Sequence, residues 1–439
     1  MKSSSTTTEQ AAALKNRPTY AAAFRCIGAD CEDACCGDWD IPLDRATYEK
    51  YQQFPAKDLG PLVSNFVSLN AVNAPEGLYA QINRGPSGTC PFLNSERLCS
   101  IQKEYGHQLL SATCSIYPRS LSRVHGVLEG SLSLSCPEAA RNVLLNPAFM
   151  QIEGDLFSGA FRTDNVYRLA GGASGSLPKP YGSFHAVRAL LIEMVRDRSH
   201  PLWHRLLSIG SLCQRLDAIA ATGNEAVPAF LKNYRHMLAN PGLHAEFESM
   251  PSEPALKLEV VLGLADERAR EKTCGKRFRD TFWTFVEGIG SPNGSTDGST
   301  PGSPNGPTPG DDIGRFLHAE KTYHRPFFEK SPFILENYLL NYMFQHLFPF
   351  GREGSARFTP RTMFAEFILM TTQFAWIDAL LIGIAGRYRE AFAEEHIVHA
   401  IQSFTREVEH YPHVLNSIAE SIAIRKMDSL QGMSVMLKN

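Results

Sequence analysis

Residues 26–37 read CIGADCEDACCG and space four cysteines as Cys-x4-Cys-x3-Cys-Cys. Eight of the ten cysteines of the chain share its first third, at Cys26, Cys31, Cys35, Cys36, Cys90, Cys99, Cys114 and Cys136. Thiols gathered this densely are typical of disulfides, zinc sites or iron–sulfur clusters. The compartment and the local spacing decide among these three kinds of chemistry.

The composition indicates a globular protein of two or three domains: 439 residues, 43% hydrophobic and 20% charged. A net charge of −3 predicts neither a nucleic-acid partner nor an anionic membrane surface, because both favour a basic excess. Residues 1–15 lack the apolar core of a secretory signal, so we expect a cytoplasmic protein. In that reducing compartment the thiols favour metal binding or catalysis over disulfides.

The pattern changes along the chain and predicts a small α+β, cysteine-rich, metal-binding N-terminal domain followed by a large, mostly α-helical domain. The cysteine-rich domain is assigned to 18–170, after a flexible tail at 1–17. The helical domain is assigned to 182–287 and 315–430. Between its two parts, 288–314 contains mainly Gly, Pro, Ser, Thr and Asn and is predicted to be a disordered insert.

Apolar residues that recur at three and four positions predict the later helices. These cover about 184–198, 202–221, 226–239, 254–272, 276–287, 333–347, 360–388, 394–410 and 413–426. Alternating runs at 39–43 and 128–134 predict strands. The apolar stretch 364–384 is nearly long enough to span a bilayer, but Glu366, Gln373 and Asp378 inside it favour a buried core helix.

Capping and turn residues predict the backbone structure around the cysteines. Asp30 as an N-cap and Gly37 as a stop predict a helix over 31–36, with Cys31 and Cys35 on one face and Cys36 about 100° away. Cys90 and Cys99 flank a tight loop. Cys213 and Cys274, outside the group, are expected to be small buried hydrophobic residues.

The other two cysteines are assigned to helices. Cys114 is expected on a helix over about 98–116, which ends before Pro118. The capping box Ser135-x-x-Glu138 places Cys136 at a helix N-terminus, where the helix dipole is expected to lower the thiol pKa.

The kind of metal remains open at this point. The cysteine-rich pattern lacks the His-x3-5-His partners of Cys2His2 fingers and the regular Cys-x2-Cys pairs of zinc ribbons. An all-thiolate iron–sulfur cluster and a zinc site are therefore both compatible with the pattern.

Several short sequence motifs resemble those of the flagellin lysine-N-methylase family. That family is related to the CxxCxxCC-type zinc- or iron-chelating proteins. In the first third the motifs are FRC at 24–26, CCGDW at 35–39, CPFL at 90–93, Cys99, SIYPR at 115–119 and SLSLSCPEAAR at 131–141. In the helical part they are ENYLLN at 336–341, FPF at 348–350, IQSF at 401–404 and EH at 409–410.

The resemblance implies methylation of a lysine Nε on a flagellin-like protein, with S-adenosylmethionine as donor and a 4Fe–4S cluster held by four of the eight cysteines. The chain contains neither the Gly-x-Gly-x-x-Gly of a Rossmann-type methyltransferase nor the Cys-x3-Cys-x2-Cys run of radical S-adenosylmethionine enzymes. The donor pocket is therefore not located by motif.

The resemblance also selects polar residues in the helical part. We expect catalytic roles for Glu336, Tyr338 and His410, and donor binding by Asn337, Asn341 and Glu409. A helix start at Glu336 and a helix end at His410 would explain two of them without any function.

Three residues beside the cysteines are further candidates for cofactor binding: Trp39, Tyr117 and Arg119. Core packing is the alternative for both aromatic residues. The alternative for the whole chain is a zinc- or iron-binding interaction module without enzyme activity.

Overall fold

The computed structural model describes residues 18–37, 41–71, 74, 76–86, 88–154, 166–169, 179–290, 309–353 and 361–439. They form two compact units, one of residues 18–142 with 148–167 and one of 143–147 with 168–439. We call the first the cysteine unit and the second the helical unit. The predicted tail at 1–17, Trp39 and positions 291–308 of the predicted insert lie outside the described residues.

The cysteine unit contains short elements around an apolar core. An antiparallel sheet has the order β1-β3-β2, and a hairpin pairs β4 with β5. The core gathers residues such as Leu43, Tyr51 and Phe92. The elements are β1 (Ile41–Leu43), α1 (Arg45–Tyr51), α2 (Gly60–Phe66), β2 (Val67–Leu69), β3 (Ala80–Ile82), α3 (Ala112–Ile116), β4 (Arg119–Val124), β5 (Val127–Leu132) and α4 (Pro137–Leu144).

The turn that joins β4 to β5 has the backbone conformation of a tight hairpin. Its two-residue turn is His125-Gly126, and both residues have positive φ, 46° and 85°. This is the conformation of a type I′ turn, whose twist matches that of the paired strands. The strand predicted at 128–134 is confirmed, with bounds shifted to Val127–Leu132.

Two predicted helices of the cysteine unit are wrong. Residues 31–36 are irregular, and the Asp33 side chain accepts the Ala34 N–H at 2.8 Å, a local bond that competes with helix. The helix predicted over 98–116 is broken at Gly106, whose φ of +86° ends a π-helical turn at Ile101–Tyr105. Cys114 instead lies on the short helix α3.

The helical unit is built from long helices, with one small strand pair between β6 (Tyr167–Leu169) and β7 (Arg352–Glu353). Its helices are α5 (Phe184–Arg196), α6 (Leu202–Thr222), α7 (Val227–Leu238), α8 (Pro241–Ser249), α9 (Pro254–Arg270), α10 (Lys276–Ile289), α11 (Pro309–Ala319), α12 (Arg325–Lys330), α13 (Phe333–His346), α14 (Met363–Tyr388), α15 (Glu394–Phe404), α16 (Pro412–Ile424) and α17 (Leu430–Leu437).

Helix α14 lies at the centre of this unit. The helical span Met363–Ala391 is long and apolar enough to cross a membrane by composition, yet 94% of an apolar 18-residue window within it is buried inside the protein. Its Gly383 packs so closely against α10 that a Cβ at Gly288 would lie 1.7 Å from the Gly383 carbonyl oxygen. The helix therefore has the contacts of a core helix.

The predicted division into a small α/β region and a large helical part is confirmed. All nine helices predicted after residue 182 are present, although their ends move. The prediction of disorder to residue 314 is wrong for its last part, because α11 begins at Pro309. The sequence patterns missed α8, α11, α12 and α17.

Candidate functional site

All eight clustered cysteines lie in the cysteine unit, and none of the ten cysteines forms a disulfide. Cys90 is part of the apolar core of the unit, and Cys36, Cys99 and Cys114 pack against that core. The Cys90 N–H donates to the Cys36 carbonyl at 2.6 Å. Backbone bonds and core packing thus bring together thiols from three separate stretches of sequence.

Five of these thiols interact electrostatically and form what we call the five-thiol group: Cys35, Cys36, Cys90, Cys99 and Cys114. Burial raises the pKa of Cys90 to about 11 and that of Cys114 to about 12, and neighbouring thiols of the group contribute to each shift. A hydrogen bond between Cys36 and Cys35, with Sγ atoms 4.0 Å apart, is the main cause of the raised pKa of Cys36.

The other three cysteines form a three-thiol group of Cys26, Cys31 and Cys136. Burial raises the pKa of Cys136 to about 12, and Cys31 and Cys35 add to the shift. Cys136 directly precedes α4, as predicted, and backbone N–H groups of Glu138 and Ala139 lower its pKa. The expectation of a net lowered pKa is wrong, because burial outweighs the helix N-terminus.

The spacing of the thiols bears on which metal they fit. Four thiolates around one zinc at 2.3 Å stand about 3.8 Å apart. Among the described residues, no three cysteine sulfurs lie within 4.8 Å of one another. Thiolates on different irons of a cluster stand further apart, but Cys35 Sγ and Cys36 Sγ lie 4.0 Å apart, close to the zinc spacing, so an iron–sulfur cluster and a zinc site both stay predictions. The raised pKa values mean that ligation must displace protons.

Tyr117 and Arg119 lie in the cysteine unit with defined partners. The Tyr117 hydroxyl is 3.0 Å from Ser135 Oγ. Arg119 donates to the carbonyls of Ala21 and Phe24 at 3.0 and 2.8 Å, and Cys26 is close enough to raise its pKa against the larger lowering by burial. Arg119 therefore anchors the segment that leads to Cys26. A cofactor contact of either residue stays a prediction.

In the helical unit, Glu336 is held by two guanidinium groups. Arg198 donates to both its carboxylate oxygens at 2.7–3.2 Å, and the buried Arg205 donates to Oε1 at 2.9 Å. The Glu336 side chain is only 3% exposed. These contacts describe an anchor between the α5–α6 connection, α6 and α13, and a catalytic role of Glu336 stays a prediction.

Asn337 and Asn341 also make internal contacts. The Asn337 amide donates to the carbonyls of Val143, Leu144 and Asn146, the last residues of α4 and those after it. The amide thereby satisfies carbonyls that a helix end leaves without partners. Asn341 donates to Gln345 at 3.5 Å. Donor binding by the two asparagines stays a prediction.

A different group of polar residues converges inside the helical unit, and we call it the Tyr-Glu-His cluster: Tyr338, Glu409 and His346. The Tyr338 hydroxyl donates to Glu409 Oε1 at 3.0 Å, and His346 Nε2 lies 3.6 Å from Glu409 Oε2. Burial raises the pKa of Tyr338 and lowers that of His346. His346 is therefore neutral at pH 7.

His410 and Tyr342 lie next to the Tyr-Glu-His cluster. His410 follows Glu409 directly, and burial lowers its pKa to about 4. The ring of Tyr342 packs on His346 at 4.3 Å, and its hydroxyl accepts a hydrogen bond from Gln373. A π-helical turn at Thr405–Glu409 ends the helix predicted over 394–410 and carries Glu409.

Sequence reasoning missed His346 and Tyr342. Both share one face of α13 with Tyr338, at intervals of four residues, and all three have polar aromatic side chains. That stripe was the available signal. The prediction followed the ENYLLN phrase and ended at Asn341, one turn too early.

Comparisons with known proteins agree on one family. The family model described as the FliB lysine N-methylase C-terminal domain matches residues 188–436, which include the whole Tyr-Glu-His cluster. No solved structure matches the chain.

Curated proteins match over shorter ranges. A lysine-N-methylase of Salmonella typhimurium is 32% identical over 152 residues, which are 34% of this chain and 37% of that protein. The flagellar biosynthetic protein FliU of Salmonella muenchen is 35% identical over 136 residues, 31% of this chain and 79% of that protein. The chain thus aligns with little more than a third of the lysine-N-methylase.

Proposed function

The chain belongs to the FliB lysine N-methylase family, and from this membership we propose that it transfers a methyl group from S-adenosylmethionine to the ε-amino group of a lysine on a flagellar protein. The observation that carries the proposal is the Tyr-Glu-His cluster, which lies within the range that the family model matches. The names of the relatives supply the reaction and the flagellar substrate.

The reaction needs a neutral lysine amine. In water the pKa of a lysine ammonium is about 10.4, so the site must favour loss of its proton. The amine nitrogen then attacks the sulfonium methyl: a C–N bond forms, the C–S bond breaks, and S-adenosylhomocysteine leaves as a neutral thioether. The remaining proton on the nitrogen passes to a base.

The Tyr-Glu-His cluster can favour the neutral lysine amine and can supply the base. Glu409 is a buried acid whose Oε1 accepts from Tyr338 and whose Oε2 faces His346 Nε2 at 3.6 Å. Glu409 attracts the lysine ammonium and takes its proton, and His346 orients the Glu409 side chain. The rings of Tyr338 and Tyr342 exclude water, which favours the neutral amine further.

The cysteine unit is proposed to hold the iron–sulfur cluster. The five-thiol group supplies more than the four thiolates that a 4Fe–4S cluster takes, and the three-thiol group lies beside it through Cys35. With four thiolate ligands, a bound cluster would cross-link the short elements of the cysteine unit. The methyl transfer itself, from sulfonium to amine, requires no electron.

Mass spectrometry of flagellar filament protein tests the proposal. We expect a lysine to gain methyl mass when purified protein and S-adenosylmethionine are both present, and not when either is omitted. Anaerobically purified protein should be brown, with broad absorption near 400 nm. Colourless protein with stoichiometric zinc and no methyl gain would instead support the non-enzymatic metal-binding module.

A further inference from the structure

Three histidines outside the Tyr-Glu-His cluster meet in the helical unit. His200 lies just before α6, His204 lies on its first turn, and His244 lies on α8. One ligand nitrogen of each ring lies within 4.8 Å of the other two. His204 is buried, and His200 and His244 are partly buried. The proposed methylation gives these histidines no role.

The orientation of His244 is fixed from outside the group. Its Nε2 lies 2.6 Å from the Leu238 carbonyl, to which an Nε2–H donates. Nδ1 then presents its lone pair to His204 Nε2, 2.9 Å away. A backbone carbonyl that fixes the tautomer in this way is the usual outer partner of a metal-binding histidine.

We propose that His200, His204 and His244 bind a divalent transition metal of the zinc class. Neutral imidazoles are preferred ligands of such ions, and three of them leave a fourth position open for water. Nitrogens at about 2.05 Å around a tetrahedral zinc stand about 3.3 Å apart, close to the 2.9 Å between His204 and His244.

Binding requires that the rings turn and that His204 carry its proton on Nδ1, because the Nε2–H that donates to His244 Nδ1 must give way to a lone pair. The three rings are stacked, with centroids 3.9–4.8 Å apart and planes within 25° of parallel. They must turn about their Cβ–Cγ bonds so that their lone pairs converge on one ion. His200 can turn because it lies in the α5–α6 connection, which is shaped by Asp197 accepting from the Ser199 N–H.

The site would link three parts of the helical unit: the α5–α6 connection, α6 and α8. A metal that binds only the folded form stabilises it, so the melting temperature should rise with zinc concentration. This effect does not depend on methyl transfer, and the histidine site is therefore testable in protein of any activity.

The test is zinc titration of the full-length protein and of the His200→Gln, His244→Gln double variant, prepared identically so that cysteine-bound metal contributes equally. His318→Gln, on an exposed face of α11, is the matched control. We expect the double variant to lose one zinc equivalent, or to bind it at least about tenfold more weakly, and to lose the zinc-dependent rise in melting temperature.

Cobalt distinguishes the ligands. The cobalt ion that wild type binds and the double variant does not should contribute no intense near-ultraviolet charge-transfer band, because that band comes from thiolate ligands. Equal zinc binding in wild type and double variant, with an unchanged metal-free melting temperature, would overturn the proposal and leave a metal-free histidine stack. An equal loss in the His318→Gln control would overturn it as surface binding.

Discussion

Replacing Glu336 with glutamine separates an anchoring role from a catalytic one. The buried carboxylate neutralises Arg205, whose side chain is 8% exposed, and is also chelated by Arg198. The amide of glutamine keeps the size of the side chain but removes its charge. Arg205 then loses the anion that contacts it and keeps its weaker electrostatic interaction with Asp197.

The magnitude follows from burial. Breaking one partner of a buried ion pair costs about 3–5 kcal/mol, and the half-exposed Arg198 contributes little of it. We therefore expect a loss of about 3 kcal/mol. For a unit of this size, each kcal/mol lowers the melting temperature by about 2–4 °C. The variant should melt roughly 6–12 °C below wild type.

A matched control exists in the same unit. Arg235 donates to both oxygens of Glu193 at 2.9 and 3.1 Å, the same paired geometry, but both side chains are about half exposed. Glu193→Gln should therefore cost at most about 1 kcal/mol. Thermal unfolding followed by circular dichroism compares the two variants. Equal melting temperatures of Glu336→Gln and wild type, with methylation lost, would refute the anchoring role and restore the catalytic one.

Three further predictions concern the two sites. Glu409→Gln should fold normally and lower kcat for lysine methylation by about 10²–10⁴-fold in a steady-state assay, and unchanged kcat would remove Glu409 from the mechanism. Burial holds the pKa of His410 near 4, so the free energy of unfolding should fall by at most about 3 kcal/mol as pH drops from about 6.5 to about 4. In melting curves recorded across this pH range, His410→Gln should show a smaller decrease than wild type. An equal decrease in both proteins would contradict this role of His410. Cys99→Ser should lower iron content while Cys213→Ser, in the helical core, should not, and equal iron loss would show that the thiols are grouped wrongly.

The helical part was predictable because its pattern is periodic over long stretches. Helix α14 is an example: its apolar run set its length, and Glu366, Gln373 and Asp378 inside that run indicated a protein core. The cysteine unit was less predictable because its elements are short. There, single interactions such as the Asp33 turn and the positive φ of Gly106 outweigh helix propensity.

The candidate sites, like the fold, were only partly predictable from the sequence. The cysteines were visible from spacing alone, but their grouping was not, because Cys90, Cys99 and Cys114 come together only through the core of the cysteine unit. For Glu336 and Asn337, sequence could not distinguish function from support. Their partners, Arg205 and the end of α4, are distant in the chain. His346 was missed because its link to Glu409 is tertiary.

Methyl transfer from isotopically labelled S-adenosylmethionine is the most direct test of the central claim. Flagellar filament protein is incubated with wild type or with the Glu409→Gln variant, and its lysine peptides are weighed by mass spectrometry. We predict the labelled methyl on lysine Nε with wild type and little or none with the variant. No label on any lysine, with folded and iron-loaded wild-type protein, would contradict the assignment as a lysine methyltransferase.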